Sequence, residues 1–202
     1  MKISIIIPTL NEEKILEQTL KSLRQLNTIP HEVIVSDGKS KDRTIELANR
    51  YADKVMVYGG QKRQTIGMGR NLGASVATGE YLVFLDADMH IPDINNFFKK
   101  ALDLFEKNKK LVGLTVYLQV FPEMASLPDK IVFWAVNRIF YLMNNILGLG
   151  VSSGEFQMIR TEVFNKLHGY DERLAVAEDN EFFRRLSAVG QTRAEPSLVV
   201  FH

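Results

Sequence analysis

The sequence contains no cysteine, so disulfide frameworks and thiolate metal sites are excluded. A reducing compartment fits this composition. The net charge is only +1, from 25 basic and 24 acidic residues, so no global field favours binding to nucleic acid. Long hydrophobic runs are also lacking, because no stretch of about 18 clean apolar residues exists to form an ordinary membrane span. The apolar N-terminal segment ends at Pro8, which is too early for a signal peptide.

What is present suits one domain with an ample core, since 46% of the 202 residues are hydrophobic. The first half alternates predicted strands at 3–8, 32–36, 54–58 and 81–85 with predicted helices at 12–26, 42–52 and 63–77. Asn11 is expected to cap the first of these helices. Strands separated by helices of this length indicate right-handed βαβ units and a parallel sheet.

The second half is less regular. Helices are predicted at 93–108, 131–151, 161–167 and 178–189, and strands at 111–120, 155–160 and 198–201. No internal repeat, low-complexity segment or domain linker interrupts the chain. The whole is therefore expected to be a single α/β domain.

The most informative segment is the buried strand at 81–85, which is followed directly by Asp86 and Asp88. Two carboxylates at the carboxyl edge of a sheet repel each other unless a cation neutralises them. Mg²⁺ and Mn²⁺ prefer such oxygen ligands and often share them with substrate phosphates. His90 lies two residues further on and is a candidate third ligand, although a lone histidine is more often an ordinary surface residue.

Two other predicted strands also end in polar residues, and parallel strands bring their carboxyl ends to one edge. Pro8, Thr9, Asn11 and Glu12 follow the first strand, and Asp37 follows the second. Asp37-Gly38 is a common turn pair, and Asn11 with the acids after it suits a helix start. The alternative is that Asp37 accepts hydrogen bonds from a nucleobase edge.

Two further candidates come from helices. Arg70 lies among Gly67, Gly69 and Gly73, which indicate close backbone approach to a ligand or to the sheet, and it could pair with Asp86 or with a phosphate. Glu178 and Asp179 open a helix, where acids are favourable in any case. The alternative role for them is that of a general base acting on a hydroxyl nucleophile.

Taken together, the motifs resemble those of the family 2 glycosyltransferases, which have the GT-A fold. The matching segments are 4–12, 35–42, 69–73, 79–88, 169–172, Glu178-Asp179 and Phe201-His202. They run in order from residue 4 to the end of the chain. The resemblance implies a Rossmann-like, mostly parallel sheet with flanking helices, with a nucleotide-sugar-binding half at 1–90 and an acceptor-binding half at 91–202.

The resemblance also implies roles for the candidate residues. Pro8, Thr9, Glu12 and Asp37 would hold the nucleoside of the donor, with Asn11 and Arg70 in the same donor site. Asp86 would contact the ribose, sugar or metal-bound diphosphate, Asp88 would ligate Mn²⁺ or Mg²⁺, and Asp179 would be the catalytic base beside Glu178. Related lipid-phosphate mannosyltransferases carry a third metal ligand at the position of His90.

The implied reaction is inverting transfer of a hexose from a UDP- or GDP-sugar to a hydroxyl acceptor, which could be a carbohydrate or lipid-linked. The Q-x-x-R-W motif of processive synthases is absent, so transfer is expected to be non-processive. A polyprenyl-phosphate acceptor, which needs no base, and a non-catalytic nucleotide-sugar-binding protein are the alternatives. A nucleotidyltransferase is disfavoured, because Asn11-Glu12-Glu13 occupies the place of its usual glycine-rich basic loop.

The sequence leaves open what the apolar segment 131–151 packs against. Its polar residues recur about every seven positions and form one narrow stripe, at Lys130, Asn137, Arg138, Asn144 and Asn145. Such a helix could pack on the sheet or on a second copy, or rest on a bilayer and bring the enzyme to a lipid-linked acceptor.

The expected location is the cytoplasm, with the inner face of the membrane as the alternative. Many members of the family continue into transmembrane helices after this domain, and this chain stops at His202, as either a soluble protein or a piece of a longer one.

Overall fold

The computed structural model describes every residue from Met1 to His202 and contains one seven-stranded sheet. The strands are β1 (Ile3–Thr9), β2 (His31–Asp37), β3 (Lys54–Val57), β4 (Tyr81–Leu85), β5 (Leu111–Gln119), β6 (Phe156–Arg160) and β7 (Gln191–Phe201). The helices are α1 (Leu16–Leu23), α2 (Thr44–Tyr51), α3 (Ile66–Ala74), α4 (Ile94–Lys107), α5 (Leu127–Tyr141), α6 (Thr161–Lys166) and α7 (Glu178–Val189). The predicted α/β class with a mostly parallel sheet is confirmed.

The strand order is β3-β2-β1-β4-β6-β5-β7, and only β6 runs against its neighbours. Register pairs Thr9 with Asp37 across β1 and β2, and Gln119 with Phe201 across β5 and β7. The carboxyl ends of the parallel strands therefore share one edge of the sheet. Because β6 is antiparallel, its first residues lie at that same edge.

The core lies on both faces of the sheet, as the alternation of β1 requires. Ile5 and Ile7 belong to the larger apolar cluster, which includes α1 and α4, whereas Ile6 belongs to the smaller one, which includes α7. Helix α3 lies close against β1: a Cβ added at Gly73 would lie 2.4 Å from the Cγ2 atom of Ile6. Of the two interpretations of the α3 glycines, close approach to the sheet therefore holds at Gly73.

Helix α1 begins later than predicted, and Asn11 does not cap it. The residue before α1 is Ile15, whereas Asn11 lies in the preceding loop with φ of 60°. Its side-chain oxygen instead accepts a hydrogen bond from the backbone N–H of Lys41 at 2.9 Å. The prediction failed because this partner is distant in sequence and belongs to the loop after β2.

The last strand begins at Gln191 rather than at residue 198. This longer strand contains Pro196, although proline cannot donate to a ladder. The register between β5 and β7 shifts between Val116 and Tyr117, so that Glu195 and Val199 pair with consecutive residues. This irregularity accommodates the proline within one strand.

The apolar segment forms α5 and continues as a π-helical turn at Leu142–Ile146. The helix starts at Leu127, before the predicted boundary, because Ser126 and Asp129 form a reciprocal capping box. In the π turn the Nδ2 atom of Asn144 donates to the carbonyl of Phe140 at 2.9 Å. None of the helices combines the length and the hydrophobicity that a transmembrane span requires.

Candidate active site

The shared edge of the sheet carries a cavity of about 360 Å³. Five of the residues predicted from sequence line it together: Pro8, Thr9, Glu12, Asp86 and Asp88. Arg63, Gln64 and Thr65, just before α3, line it as well. Three separate strand ends and a loop therefore meet around one polar space.

Asp37 lies under this cavity and is fully buried. Its Oδ1 accepts from the backbone N–H of Ser40 at 2.7 Å, and its Oδ2 accepts from the Ser40 hydroxyl at 2.6 Å and the Thr9 hydroxyl at 3.0 Å. Both carboxylate oxygens thus fix the loop after β2 and hold Thr9 in the cavity wall. Direct contact with a nucleobase stays a prediction.

The loops after β1 and β2 are joined by several such bonds. The backbone N–H of Asn11 donates to the Ser40 hydroxyl at 2.7 Å, and that of Glu12 donates to the Thr44 hydroxyl at 2.7 Å. Burial raises the pKa of Glu12, and the negative charges of Asp88 and Asp42 raise it further. Glu12 and Asp88 are therefore close enough to repel each other when both are ionised.

Arg70 is 1% exposed and is surrounded by acids. Its Nη1 lies 2.7 Å from Glu178 Oε1, and its Nη2 lies 3.5 Å from Asp86 Oδ1 and donates to the Gly154 carbonyl at 3.0 Å. The guanidinium also lies 5.3 Å from the centre of the Tyr170 ring. Of the two partners suggested by sequence, Asp86 is present, and Glu178 forms the shorter ion pair.

Asp86 sits between opposing influences. Burial raises the pKa of its carboxyl, Arg70 opposes this, and the charges of Glu155 and Asp88 raise the pKa further, so that the net pKa is about 6. Its backbone N–H donates to the Glu155 carbonyl at 3.2 Å, which fixes the start of β6 beside the end of β4. The site therefore concentrates negative charge around one buried cation.

Glu178 and Asp179, which are adjacent in sequence, differ in environment. Glu178 is buried against Arg70, whereas Asp179 is partly exposed. Asp179 Oδ1 accepts from the backbone N–H of Asn180 at 2.7 Å. Its Oδ2 lies 3.6 Å from the position of a Cβ added at Gly154, and that position is 2.7 Å from Arg70 Nη2. Asp179 thus faces the same small space as the Arg70 guanidinium.

The histidine that lies beside Asp88 is His202 and not the predicted His90. The Nε2 atom of His202 lies 3.1 Å from Asp88 Oδ2. The His90 ring instead packs 5.7 Å from the centre of the Phe121 ring and lines a different cavity beside α1. Backbone bonds between His90 and Phe201, at 2.9 Å in each direction, hold the end of β7 in place. No group of three or more acidic or histidine side chains forms a ready metal cluster.

Sequence reasoning missed several polar residues of this edge. These residues include Gln64, Ser153 and Glu155, whose buried atoms Gln64 Nε2, Ser153 Oγ and Glu155 Oε2 have no hydrogen-bond partner. Ser153 and Glu155 lie in the segment just before the antiparallel strand β6, whose direction the sequence pattern did not reveal. The polar run Ser152-Ser153-Gly154-Glu155 after a long apolar segment was the available signal.

A family model described as "Glycosyl transferase family 2" matches residues 4–167. The chain belongs to glycosyltransferase family 2. An uncharacterized glycosyltransferase of Haemophilus influenzae is 28% identical over 198 residues, which cover 91% of this chain and 61% of that one. The 4,4'-diaponeurosporenoate glycosyltransferase of Staphylococcus haemolyticus is 42% identical over 93 residues, covering 44% of this chain and 24% of that protein.

Solved structures share the fold of this family 2 glycosyltransferase. A Pyrobaculum calidifontis mannosyltransferase in complex with GDP-Man and Mn²⁺ matches with a TM-score of 0.76 at 19% identity, over 99% of this chain and 56% of the other. Staphylococcus aureus TarS in complex with UDP also gives 0.76, at 21% identity, over 100% of this chain and 60% of the other. The GT-A fold expected from sequence is confirmed, and the chain spans only part of the length of these relatives.

Proposed function

We propose that this family 2 glycosyltransferase transfers a hexose, with inversion, from a UDP- or GDP-sugar to a hydroxyl acceptor. The observation that carries the proposal is that Arg70 lies between an acidic cavity and Asp179: it contacts Asp86 of the cavity on one side and shares the space at Gly154 with Asp179 on the other. The TarS structure with UDP and the Pyrobaculum calidifontis structure with GDP-Man support a nucleotide-sugar donor of either base.

The donor is assigned to the half at 1–90. Pro8, Thr9 and Glu12 line the cavity, and Asp37 holds Thr9 from below. Asn11 supports the same wall through its bond to Lys41. Asp86 lies at the end of β4, where it can contact the ribose or sugar, with Arg70 beneath it.

The residues at the sheet edge fit a divalent cation. Asp88 and His202 offer a carboxylate oxygen and an imidazole nitrogen 3.1 Å apart, both about half exposed. The carboxylate suits Mn²⁺ or Mg²⁺, and the imidazole, a ligand of transition metals, favours Mn²⁺ of the two. These ions take few protein ligands and complete their shell with phosphate oxygens and water. When bound, the ion supplies a Lewis acid that balances charge on the departing diphosphate. We assign Asp88, with Asp86 beside it, and His202 to this role in preference to His90.

Asp179 is assigned as the base. The acceptor hydroxyl oxygen forms a bond to the anomeric carbon as the bond from that carbon to the diphosphate oxygen breaks, and the hydroxyl proton passes to the Asp179 carboxylate. Glu178 is not free for this step, because it is buried in an ion pair with Arg70 at 2.7 Å. It holds the guanidinium in position instead.

The acceptor is assigned to the half at 91–202. A relative from Campylobacter jejuni is 33% identical over 91 residues and is named GalNAc(5)-diNAcBac-PP-undecaprenol beta-1,3-glucosyltransferase. This name supports a hydroxyl acceptor that is lipid-linked. That match covers 43% of this chain and 29% of the relative. The transfer is proposed to be non-processive.

The test measures release of UDP and GDP from their sugar nucleotides with Mn²⁺ over a panel of hydroxyl and phosphate acceptors. Asp179→Asn should lower kcat about a hundredfold or more with unchanged donor affinity, because only proton removal is lost. Glu106→Gln, on the exposed side of α4, is the control and should match the wild type.

Two outcomes would overturn the proposal. Full turnover of Asp179→Asn on a phosphate acceptor would show an acceptor that is already ionised. Donor binding with no release on any acceptor, in the wild type as well, would show a nucleotide-sugar-binding protein without transferase activity.

A further inference from the structure

The asparagines of the polar stripe of α5 and its π turn, Asn137, Asn144 and Asn145, face inward, whereas Lys130 and Arg138 are exposed. The Asn137 side chain accepts from the backbone N–H of Leu118 at 3.0 Å and donates to its carbonyl at 2.9 Å. Asn145 makes the same pair of bonds with Ala194, each at 2.9 Å. The helix and its π turn are thus anchored to β5 and β7 by amide groups, with Phe133 packing against the core beside them.

The opposite side, the outer face of α5, is apolar and exposed. Most of the large exposed apolar side chains of the protein lie between residues 124 and 149. Trp134 is 63% exposed and Ile131 67% exposed. The outer face is formed by Leu127, Ile131, Trp134, Ile139, Leu142 and Ile146. A contiguous apolar surface of this kind marks an interaction site.

Helix α5 carries one acid, Asp129, whose Oδ2 accepts hydrogen bonds from the Ser126 backbone N–H and hydroxyl in the N-terminal cap. From Lys130 to Gly154 the chain contains no acidic residue and two cations, Lys130 and Arg138. Both are exposed, and no salt bridge includes either of them. The Arg138 guanidinium lies 5.8 Å from the centre of the Trp134 ring. Basic and aromatic groups around an apolar stripe are typical of helices that lie in the headgroup region of a bilayer.

We propose that the outer face of α5 docks on the surface of a bilayer that contains anionic lipids, with the helix lying in the plane of the interface. The charges decide between a bilayer and a second copy. A two-fold dimer through this face would bring together the Lys130 and Arg138 side chains of both copies, while the one acid of α5, Asp129, is already bound by Ser126. Anionic headgroups supply an acidic partner, and each basic residue near such a surface contributes favourably.

The docking surface is joined directly to the active site. The chain leaves the π turn at Ile146 and reaches Gly154 and Glu155 beside Arg70 and Asp86. Ser152 on the way donates from its backbone N–H to the Asn180 side chain at 3.3 Å. Docking would therefore hold the site near the membrane surface. The inference does not require the proposed transfer, since binding to lipid is measured without turnover.

Trp134 is the only tryptophan, so its intrinsic fluorescence reports on the outer face without a label. The experiment titrates the protein with vesicles of phosphatidylcholine mixed with phosphatidylglycerol, and with vesicles of phosphatidylcholine alone. We expect a blue shift, quenching by lipids brominated on the acyl chain, and clearly stronger partitioning onto the anionic vesicles. Bromine quenches only a ring that contacts lipid, which separates docking from burial in a dimer.

The test variant Ile131→Ser with Ile146→Ser keeps Trp134 and should weaken partitioning at least about tenfold, since each change removes exposed apolar surface. Val57→Ser, on an exposed side chain of the distant edge strand β3, is the control and should bind like the wild type. Thermal unfolding verifies that both variants are folded. Lys130→Gln with Arg138→Gln should remove the preference for anionic vesicles.

The proposal is overturned if the wild type shows no quenching by brominated lipid with anionic vesicles. It is equally overturned if Trp134 shifts with protein concentration alone and light scattering shows a dimer that the double serine variant abolishes. That second result would assign the outer face to another copy of the chain.

Discussion

At the residue scale, the buried cation Arg70 organises the site. It is held by Glu178, by the Gly154 carbonyl and, at a longer distance, by Asp86. Removing one member of a buried ion pair leaves an uncompensated charge and is strongly destabilising. Because Arg70 contacts Asp86 of the donor cavity and shares the space at Gly154 with Asp179, it connects the cavity to the proposed base.

Gly154 tests this linkage without changing a charge. A Cβ at this position would lie 2.7 Å from Arg70 Nη2, which must then move in a buried setting. We expect Gly154→Ala to cost about 1–3 kcal/mol of stability, as overpacking does, and to lower kcat at least tenfold. Steady-state kinetics and thermal unfolding measure the two effects.

Gly59→Ala is the matched control, because a Cβ there meets no atom within 4 Å. It should retain wild-type activity and stability. Wild-type turnover by Gly154→Ala would show that the position of Arg70 does not matter for transfer.

At the element scale, strong periodicity predicted elements well and local signals predicted their ends less well. Helix α4 was found within a residue of each end because its apolar positions repeat at helical spacing. The start of α1 was misplaced because Asn11 bonds to Lys41 across two loops. The start of β7 was missed because a register shift tolerates Pro196, which no local pattern shows.

A second element-scale feature is Glu32, a buried acid of β2 that joins β1, β3 and the turn before β4. It accepts from the Ser4 hydroxyl at 2.7 Å and the Thr78 backbone N–H at 2.7 Å, and pairs with Lys54 at 2.8 Å. Burial acts to raise the pKa of Glu32, but the bonds from Lys54, Thr78 and Ser4 outweigh it and lower the pKa to about 2.

Because the folded-state pKa of Glu32 lies below its ordinary value of 4.5, its stabilisation is complete above that pH. It is lost as the pH falls from there toward about 2. We expect the free energy of unfolding of Glu32→Gln to depend less on pH in this range, with a difference on the order of 2 kcal/mol. Urea unfolding at neutral and acidic pH measures it.

Glu106→Gln is again the control, since this exposed acid belongs to none of the ion pairs, and it should follow the wild-type curve. If Glu32→Gln also runs parallel to the wild type, the network around Glu32 does not stabilise the fold in the way its contacts indicate.

At the scale of the whole molecule, the sheet brings distant residues to one edge. The sequence allowed Pro8, Thr9, Glu12, Asp86 and Asp88 to be placed together, because parallel strands with polar ends share an edge, and all five line one cavity. The histidine that contacts Asp88 could not be identified from its distance along the sequence. His90 is close in sequence, whereas His202 arrives through the pairing of β7 with β5.

The most direct measurement is calorimetric titration of UDP and GDP into the protein with and without Mn²⁺, using the wild type and the variants Asp88→Asn, His202→Gln and His90→Gln. The account predicts Mn²⁺-dependent binding of one nucleotide, weakened at least about tenfold in Asp88→Asn and His202→Gln and by less than about twofold in His90→Gln. Binding that is indifferent to Mn²⁺ and to Asp88, or that depends on His90 and not on His202, would contradict it.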